Sequence, residues 1–379
     1  MLIGIDGNEA NVEKRVGVNV YAFELVCAIA KLENEWGKNH RLIVYLKKPP
    51  LNDLPKETQN FKYKIIRGRG LWILTKLMPY LLFGKERPDV FFSPSHYIPP
   101  LARQPRVCSI MDLGYLKFSG QFRKYDYWQL RLWSAISIFV SKAVVAISEA
   151  TKSDIVRHYP FAARKTYVTP LAFDPTKFNR FVSQKDIRRV KEKYTIVGDY
   201  LLFLGTLKPS KNTETLIEAF STISHQPLAI TLVIAGKKGW LYDAIFEKVK
   251  KLKVEDRVIF TDYVPDEDKP ALMAGAKVFC LPSFWEGFGL DVLNALACGV
   301  PVVISDKGSL PEVAGEAGIY VDPESSESIS RGIAKVLSLG KLEYNRLVEK
   351  GFEQVKKFSW EATARKTLEI CLKTKTGIN

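Results

Sequence analysis

Two polar residues eight positions apart, Glu286 and Asn294, stand in the most chemically suggestive stretch of the chain, residues 277–303, KVFCLPSFWEGFGLDVLNALACGVPVV. An apolar run meets Pro282, the turn Glu286-Gly287-Phe288-Gly289 follows, and a helical period opens at Leu290. A helix start aims several unpaired N–H groups and a partial positive charge at such a turn, which makes an anion site suited to phosphate. A carboxylate beside a phosphate site would serve another purpose, accepting hydrogen bonds from something neutral and hydroxyl-rich attached to the phosphate. At about 1.5 Å per residue, Asn294 lies roughly 12 Å along the helix, about the span from a sugar across a diphosphate to a ribose. The stretch could hold a sugar nucleotide; spacing alone is equally served by a strand, turn and helix with no ligand.

Further candidates lie in loops after strands. Gly205-Thr206-Leu-Lys208-Pro-Ser-Lys211 follows the run Tyr200–Leu204, and a lysine near a helix start can neutralise a diphosphate leaving group. His96 and Asp112 follow the runs Val90–Ser93 and Val107–Ile110, at the carboxyl edge of a sheet where open α/β folds place ligands. A lone histidine in such a loop is more often a structural hydrogen-bonder.

Strand-like runs alternate with helical periods at βαβ spacing on both sides of about residue 180, which predicts an α/β fold of two parallel-sheet domains facing across a cleft. The length, 379 residues, exceeds what one core normally holds. Val16-Gly17-Val leads into a helix through about Lys31, without the G-x-G-x-x-G of a dinucleotide loop. Residues 71–83, mostly apolar, are too short to span a bilayer and read either as a membrane-interface helix or as a core-facing one. Residues 121–141 predict a basic aromatic helix, for which core packing is the better reading than a membrane or nucleic-acid surface. Residues 168–180 read as the last strand of the first domain and a linker.

The net charge of +15 is lopsided: residues 1–195 hold 33 Lys/Arg against 17 Asp/Glu, and the remainder 23 against 24. Anionic lipid or a phosphorylated acceptor explains that asymmetry better than nucleic acid, for which no recognition motif accompanies the charge. The five cysteines are scattered singly, without metal or disulfide spacing, which suits a reducing cytoplasm. The first residues already read as a buried strand, so no leader is expected before the fold.

Glu286-Gly-Phe-Gly-Leu, then Ala295-Leu-Ala-Cys-Gly-Val-Pro-Val-Val, then Leu310-Pro-Glu-Val-Ala-Gly resembles the donor-site signature of the family-4 retaining glycosyltransferases of GT-B fold, in particular the mannosyltransferase-like branch of bacterial polysaccharide biosynthesis. The resemblance implies two Rossmann-like domains: residues 1–178 for the acceptor, joined by a C-terminal helix at about 360–379, and residues 179–359 for the donor. It implies transfer of a hexose from a GDP- or UDP-sugar to a lipid-linked or cell-envelope saccharide, with the nucleoside diphosphate sugar as co-substrate and neither metal nor other cofactor. It places Glu286, Lys211, His96 and Asp112 at the chemistry. Around the donor it places Gly17, Gly205, Thr206, Lys208, Gly236, Tyr263, Val264, Gly287, Phe288, Gly289, Leu290 and Asn294. A cytoplasmic protein, peripheral at the inner membrane face, is the expected setting. The chain departs from the pattern at Met111 (commonly His), Thr206 (usually Arg), Asp291 (usually Pro) and Asn294 (usually Glu). Three of these departures, Met111, Thr206 and Asn294, open an alternative, a catalytically impaired sugar-nucleotide-binding scaffold of the same fold.

Overall fold

The computed structural model describes residues 1–121, 123–224 and 230–376. The chain forms two compact units, Met1–Leu171 with Ser359–Asn379, and Ala172–Phe358. Each is built on one parallel sheet, and both sheets are Rossmann-like.

The first unit contains β1 (Leu2–Asp6), β2 (Arg41–Leu46), β3 (Phe61–Ile65), β4 (Val90–Ser93), β5 (Arg106–Ile110), β6 (Ala143–Ala146) and β7 (Thr166–Val168) in the order β3-β2-β1-β4-β5-β6-β7. Largely apolar runs make β1, β4 and β6, every residue of which is buried because helices cover both faces of a parallel sheet, whereas the edge strand β3, FKYKI, buries only Phe61. The helix Trp360–Thr376 packs on this unit: the Trp360 ring lies 6.3 Å from that of Tyr21, and Thr363 Oγ1 donates to the Pro170 carbonyl at 2.6 Å.

The second unit contains β8 (Asp199–Leu204), β9 (Ile230–Ala235), β10 (Val258–Asp262), β11 (Val278–Leu281), β12 (Val302–Ser305) and β13 (Gly318–Val321) in the order β10-β9-β8-β11-β12-β13. The chain winds outward from β8 in one direction and from β11 in the other. A topological switch point therefore falls between β8 and β11, and the equivalent one in the first unit falls between β1 and β4. At such points the loops leaving the carboxyl ends part, and a crevice opens.

Three local readings need revision. The last strand of the first unit ends at Val168 rather than starting there, because Pro170 has no N–H to continue the ladder. Residues 71–83 form a π-turn, Ile73–Leu77, running into the helix Met78–Phe83; Trp72, Leu77 and Leu81 are buried, which favours the core-facing reading. The basic aromatic helix spans Lys124–Val140, and its aromatic residues are divided between core and solvent rather than committed to the core. Among the described residues no helix is long and apolar enough to cross a membrane.

Candidate active site

Lys211 and Glu286 meet at the switch point of the second unit. Lys211 closes the short turn Pro209–Lys211 in the loop after β8, and Glu286 lies in the loop after β11. Lys211 Nζ stands 2.7 Å from Glu286 Oε1, with the two side chains only 15% and 12% exposed. Ser283 Oγ donates to the same carboxylate oxygen at 2.6 Å, and Ser309 Oγ donates to the Glu286 carbonyl at 2.9 Å. The loops are fastened by Asn212, whose left-handed backbone (φ 58°) lets its side-chain amide donate to the carbonyls of Pro282 (2.9 Å) and Pro323 (2.6 Å). The Phe284 N–H adds a bond to the Ser210 carbonyl at 3.0 Å. Such cross-bracing fixes both charged groups before any ligand arrives, and preorganisation of that kind lets charge stabilise a transition state.

Backbone approach is equally constrained. A Cβ on Gly308 (φ +62°) would come within 2.8 Å of the Glu286 carbonyl oxygen, so only glycine lets the β12 loop lie against Glu286. A Cβ on Gly236 (φ +147°) would overlap the Gly205 carbonyl oxygen at 1.9 Å, and there the loops after β8 and β9 run side by side.

The turn from Glu286 continues through Gly287 and Phe288, which is buried edge-on against Phe358 at 5.7 Å, to Gly289 (φ +95°) at the start of the helix Leu290–Ala297. The first N–H groups of that helix have no partner within it. Asn294 is 5% exposed, and its Oδ1 has no partner among the described residues. Its side chain hydrogen-bonds Asp291, whose carboxyl is pushed upward by burial against the pull of Lys211 and Lys269. An unpartnered buried carbonyl oxygen is costly, and a ligand hydroxyl would satisfy it. Gly205, Thr206, Lys208, Gly236, Tyr263 and Val264 lie on the loops after β8, β9 and β10, along the same sheet edge. The Lys208 ammonium sits 5.5 Å from the Trp240 ring centroid; Tyr263 is exposed and Val264 buried.

In the first unit, Gly17 (φ +51°) starts the helix Val18–Lys31, and a Cβ there would meet nothing within 4 Å. Asp112 Oδ1 accepts from the Gly114 N–H at 2.8 Å, a local turn that occupies one oxygen. Burial holds the His96 imidazole down at about 4, so it is neutral at pH 7; its ring packs 4.1 Å from that of Tyr97, and its Nε2 lacks a partner among the described residues.

A cavity of about 250 Å³ lies at the β1/β4 switch point of this unit, lined by Asp6, Asn8, Glu9, Tyr97, Gln129 and Trp133 among others. Burial pushes the Asp6 carboxyl up to about 6, although the Asn8 backbone N–H (3.0 Å) and side-chain amide (2.7 Å) both donate to it. Glu9 is raised by burial as well. Gln129 Nε2 donates to the Tyr97 hydroxyl at 3.2 Å, and Trp133 packs edge-on against Tyr97 at 5.5 Å. Carboxylates and amides beside aromatic faces suit a hydroxyl-rich ring. Sequence reading missed this group because its members come from three separate segments. The one available signal was that Asp6 ends the first strand, at the ligand-binding edge. Ser309 and Gly308, which hold Glu286 from the loop after β12, were missed for the same reason.

Comparison with known proteins adds family evidence. Residues 184–354 match the family described as "Glycosyl transferases group 1". The chain is 29% identical over 342 residues to the O-antigen chain mannosyltransferase B of Escherichia coli, covering 89% of this chain and 84% of that one. In fold it is similar to the sucrose-phosphate synthase of Thermosynechococcus elongatus (TM-score 0.76, 18% identity, 99% of each chain). It is also similar to Anabaena HepE solved with UDP and glucose (TM-score 0.72, 18% identity, 97% of this chain and 98% of that one).

Proposed function

We propose that this glycosyltransferase of group 1, of the GT-B, family-4 type, with mannosyltransferase relatives in polysaccharide biosynthesis, moves a hexose, mannose first among candidates, from a GDP- or UDP-sugar to a lipid-linked or cell-envelope saccharide with retention at the anomeric carbon. The observation that carries this is the Lys211–Glu286 pair, held between glycine-lined loops at the switch point beside a helix start. Support for mannose is the 29% identity to a protein named as a mannosyltransferase, and support for a nucleotide donor is a structural neighbour solved with UDP.

In this reading the donor diphosphate lies at the start of the helix Leu290–Ala297. Lys211 and the helix N–H groups take up the negative charge that grows on the leaving phosphate. Glu286 accepts hydrogen bonds from the sugar hydroxyls, and Asn294 Oδ1 accepts one from the ribose. The acceptor hydroxyl attacks from the face that the diphosphate leaves. The anomeric C–O bond to phosphate breaks, the C–O bond to the acceptor forms, and the acceptor proton passes to a phosphate oxygen. No enzyme nucleophile and no metal enters these steps. The first unit presents the acceptor: its 250 Å³ cavity holds one saccharide ring against Asp6, Glu9 and Gln129, while His96 and Asp112 serve the chemistry and Gly17 the donor. The protein works in the cytoplasm, peripheral at the inner membrane face, where the positive charge of its first half attracts anionic lipid.

Turnover is tested by following nucleoside diphosphate release from GDP-mannose, UDP-glucose and related donors with saccharide acceptors. Release that needs an acceptor and disappears in Glu286→Gln is expected. Full turnover in that variant, or specific nucleotide binding without turnover on any acceptor, contradicts the proposal, and the latter favours a binding scaffold.

A further inference from the structure

The helix Lys124–Val140 leaves Tyr125, Trp128, Leu132 and Phe139 at 77%, 60%, 60% and 72% exposure. At about 100° per residue these four fall within an arc of about 60° and run roughly 21 Å along the helix. The opposite side carries Tyr127, Leu130 and Ile138, packed on the core of the first unit. The outer stripe is therefore a second apolar face on a helix that already has its core face. Phe161, itself 56% exposed, extends the stripe, with its ring 6.0 Å from that of Phe139.

Charge around the stripe has one dominant sign. Arg123, Lys124, Arg131, Lys142 and Arg164 are exposed, and the Arg131 guanidinium lies 5.1 Å from the Trp128 ring centroid. Residues 121–167 hold eight Lys/Arg against three Asp/Glu, of which Asp126 alone is on this helix. A second copy docked here about a twofold axis would set the same cations against each other. A bilayer with anionic headgroups satisfies both features at once: tyrosine and tryptophan at the interface, phenylalanine and leucine below it, and lysine and arginine among the phosphates.

We infer that the outward face of the helix Lys124–Val140, with Phe161, is the surface by which this protein docks on anionic membrane. The docking deepens the membrane-facing part of the reading above and does not depend on glycosyl transfer. It also assigns the contact to this helix in preference to residues 71–83, where Trp72, Leu77 and Leu81 are buried and the two large exposed apolar side chains, Leu71 and Phe83, stand at opposite ends of the segment.

The test is co-sedimentation with phosphatidylcholine vesicles and with vesicles containing phosphatidylglycerol, across a salt series. The comparison uses the full chain, the double variant Trp128→Ser/Phe139→Ser, the charge variant Lys124→Glu/Arg131→Glu, and Val197→Ser, an exposed apolar site in the other unit. The full chain and Val197→Ser should pellet only with the anionic vesicles, and less at high salt. Both helix variants should bind about tenfold or more weakly. The inference is overturned by wild-type protein that ignores anionic vesicles, by helix variants that pellet like wild type, or by a stripe-dependent dimer in sedimentation velocity. A nucleotide-induced rise in melting temperature, read on the same proteins, reports the donor site separately. It should survive in every variant, so the two readings fail independently.

Discussion

Lys211 Nζ lies 2.7 Å from Glu286 Oε1 although the two residues are 75 positions apart, and Ser283 Oγ donates to the same carboxylate oxygen. The pair joins the two loops that part at the switch point between β8 and β11, so each partner's removal has a structural and a chemical consequence.

Lys211→Ala should lower kcat by about 100-fold or more, the loss typical of one preorganised charge. It should also cost about 2 kcal/mol of stability, because Glu286 keeps its burial and loses its cation. Chemical denaturation and steady-state kinetics on one preparation separate the two effects. A variant with wild-type kcat would contradict the role assigned to Lys211.

Gly308→Ala probes the same site through the backbone. Its new methyl group would press on the Glu286 carbonyl at a positive φ, costing about 1–3 kcal/mol. Donor affinity should fall with it because Glu286 is displaced. Stability loss with unchanged donor affinity would show that the position of Glu286 does not matter to binding.

Asn294→Leu removes the buried Oδ1 that has no partner among the described residues. Stability of the unliganded protein should change by less than about 1.5 kcal/mol, since loss of an unsatisfied group offsets loss of the bond to Asp291. The rise in melting temperature caused by nucleotide should nevertheless shrink sharply. An undiminished rise would place the ribose elsewhere.

Asp6 supplies a pH signature. Its folded value of about 6 stands above the ordinary value of 3.8, so the fold binds the proton more tightly than the unfolded chain does. The stability this contributes is fully present below about pH 3.8 and is lost as pH rises through about 6, a change of about 3 kcal/mol. Asp6→Asn should therefore stabilise the protein relative to wild type at about pH 8 and lose that advantage near about pH 4. If the cavity binds the acceptor through the carboxylate, acceptor kcat/KM should also show an acidic limb near about pH 6 that Asp6→Asn abolishes. Melting curves whose difference is flat with pH would remove the buried-carboxylate description.

Much of this was legible in the sequence where the signal is local. The run 277–303 reads as strand, turn and helix because its apolar period changes at a glycine turn and the helix stops at Ala297, two residues before Gly299, which has φ +76°. The alternation of such units predicted two parallel sheets. Long-range relations were not legible: nothing in the spacing pairs Lys211 with Glu286 or gathers Asp6, Tyr97, Gln129 and Trp133. Those depend on strand order, which fixes the loops that become neighbours. The helix Lys124–Val140 misled for a different reason. It is aromatic on two sides, so periodicity alone cannot say which one packs, and the core took Tyr127, Leu130 and Ile138 while solvent kept Trp128 and Phe139.

The most direct measurement is a thermal-shift screen of GDP, UDP, ADP and their sugar conjugates against wild type and Lys211→Ala, since a ligand that binds only the native state raises its melting temperature. A rise with one base, greater for the sugar conjugate and lost in Lys211→Ala, is the expected result. No rise with any nucleotide, or one that Lys211→Ala leaves intact, would contradict a donor site built on Lys211 and Glu286.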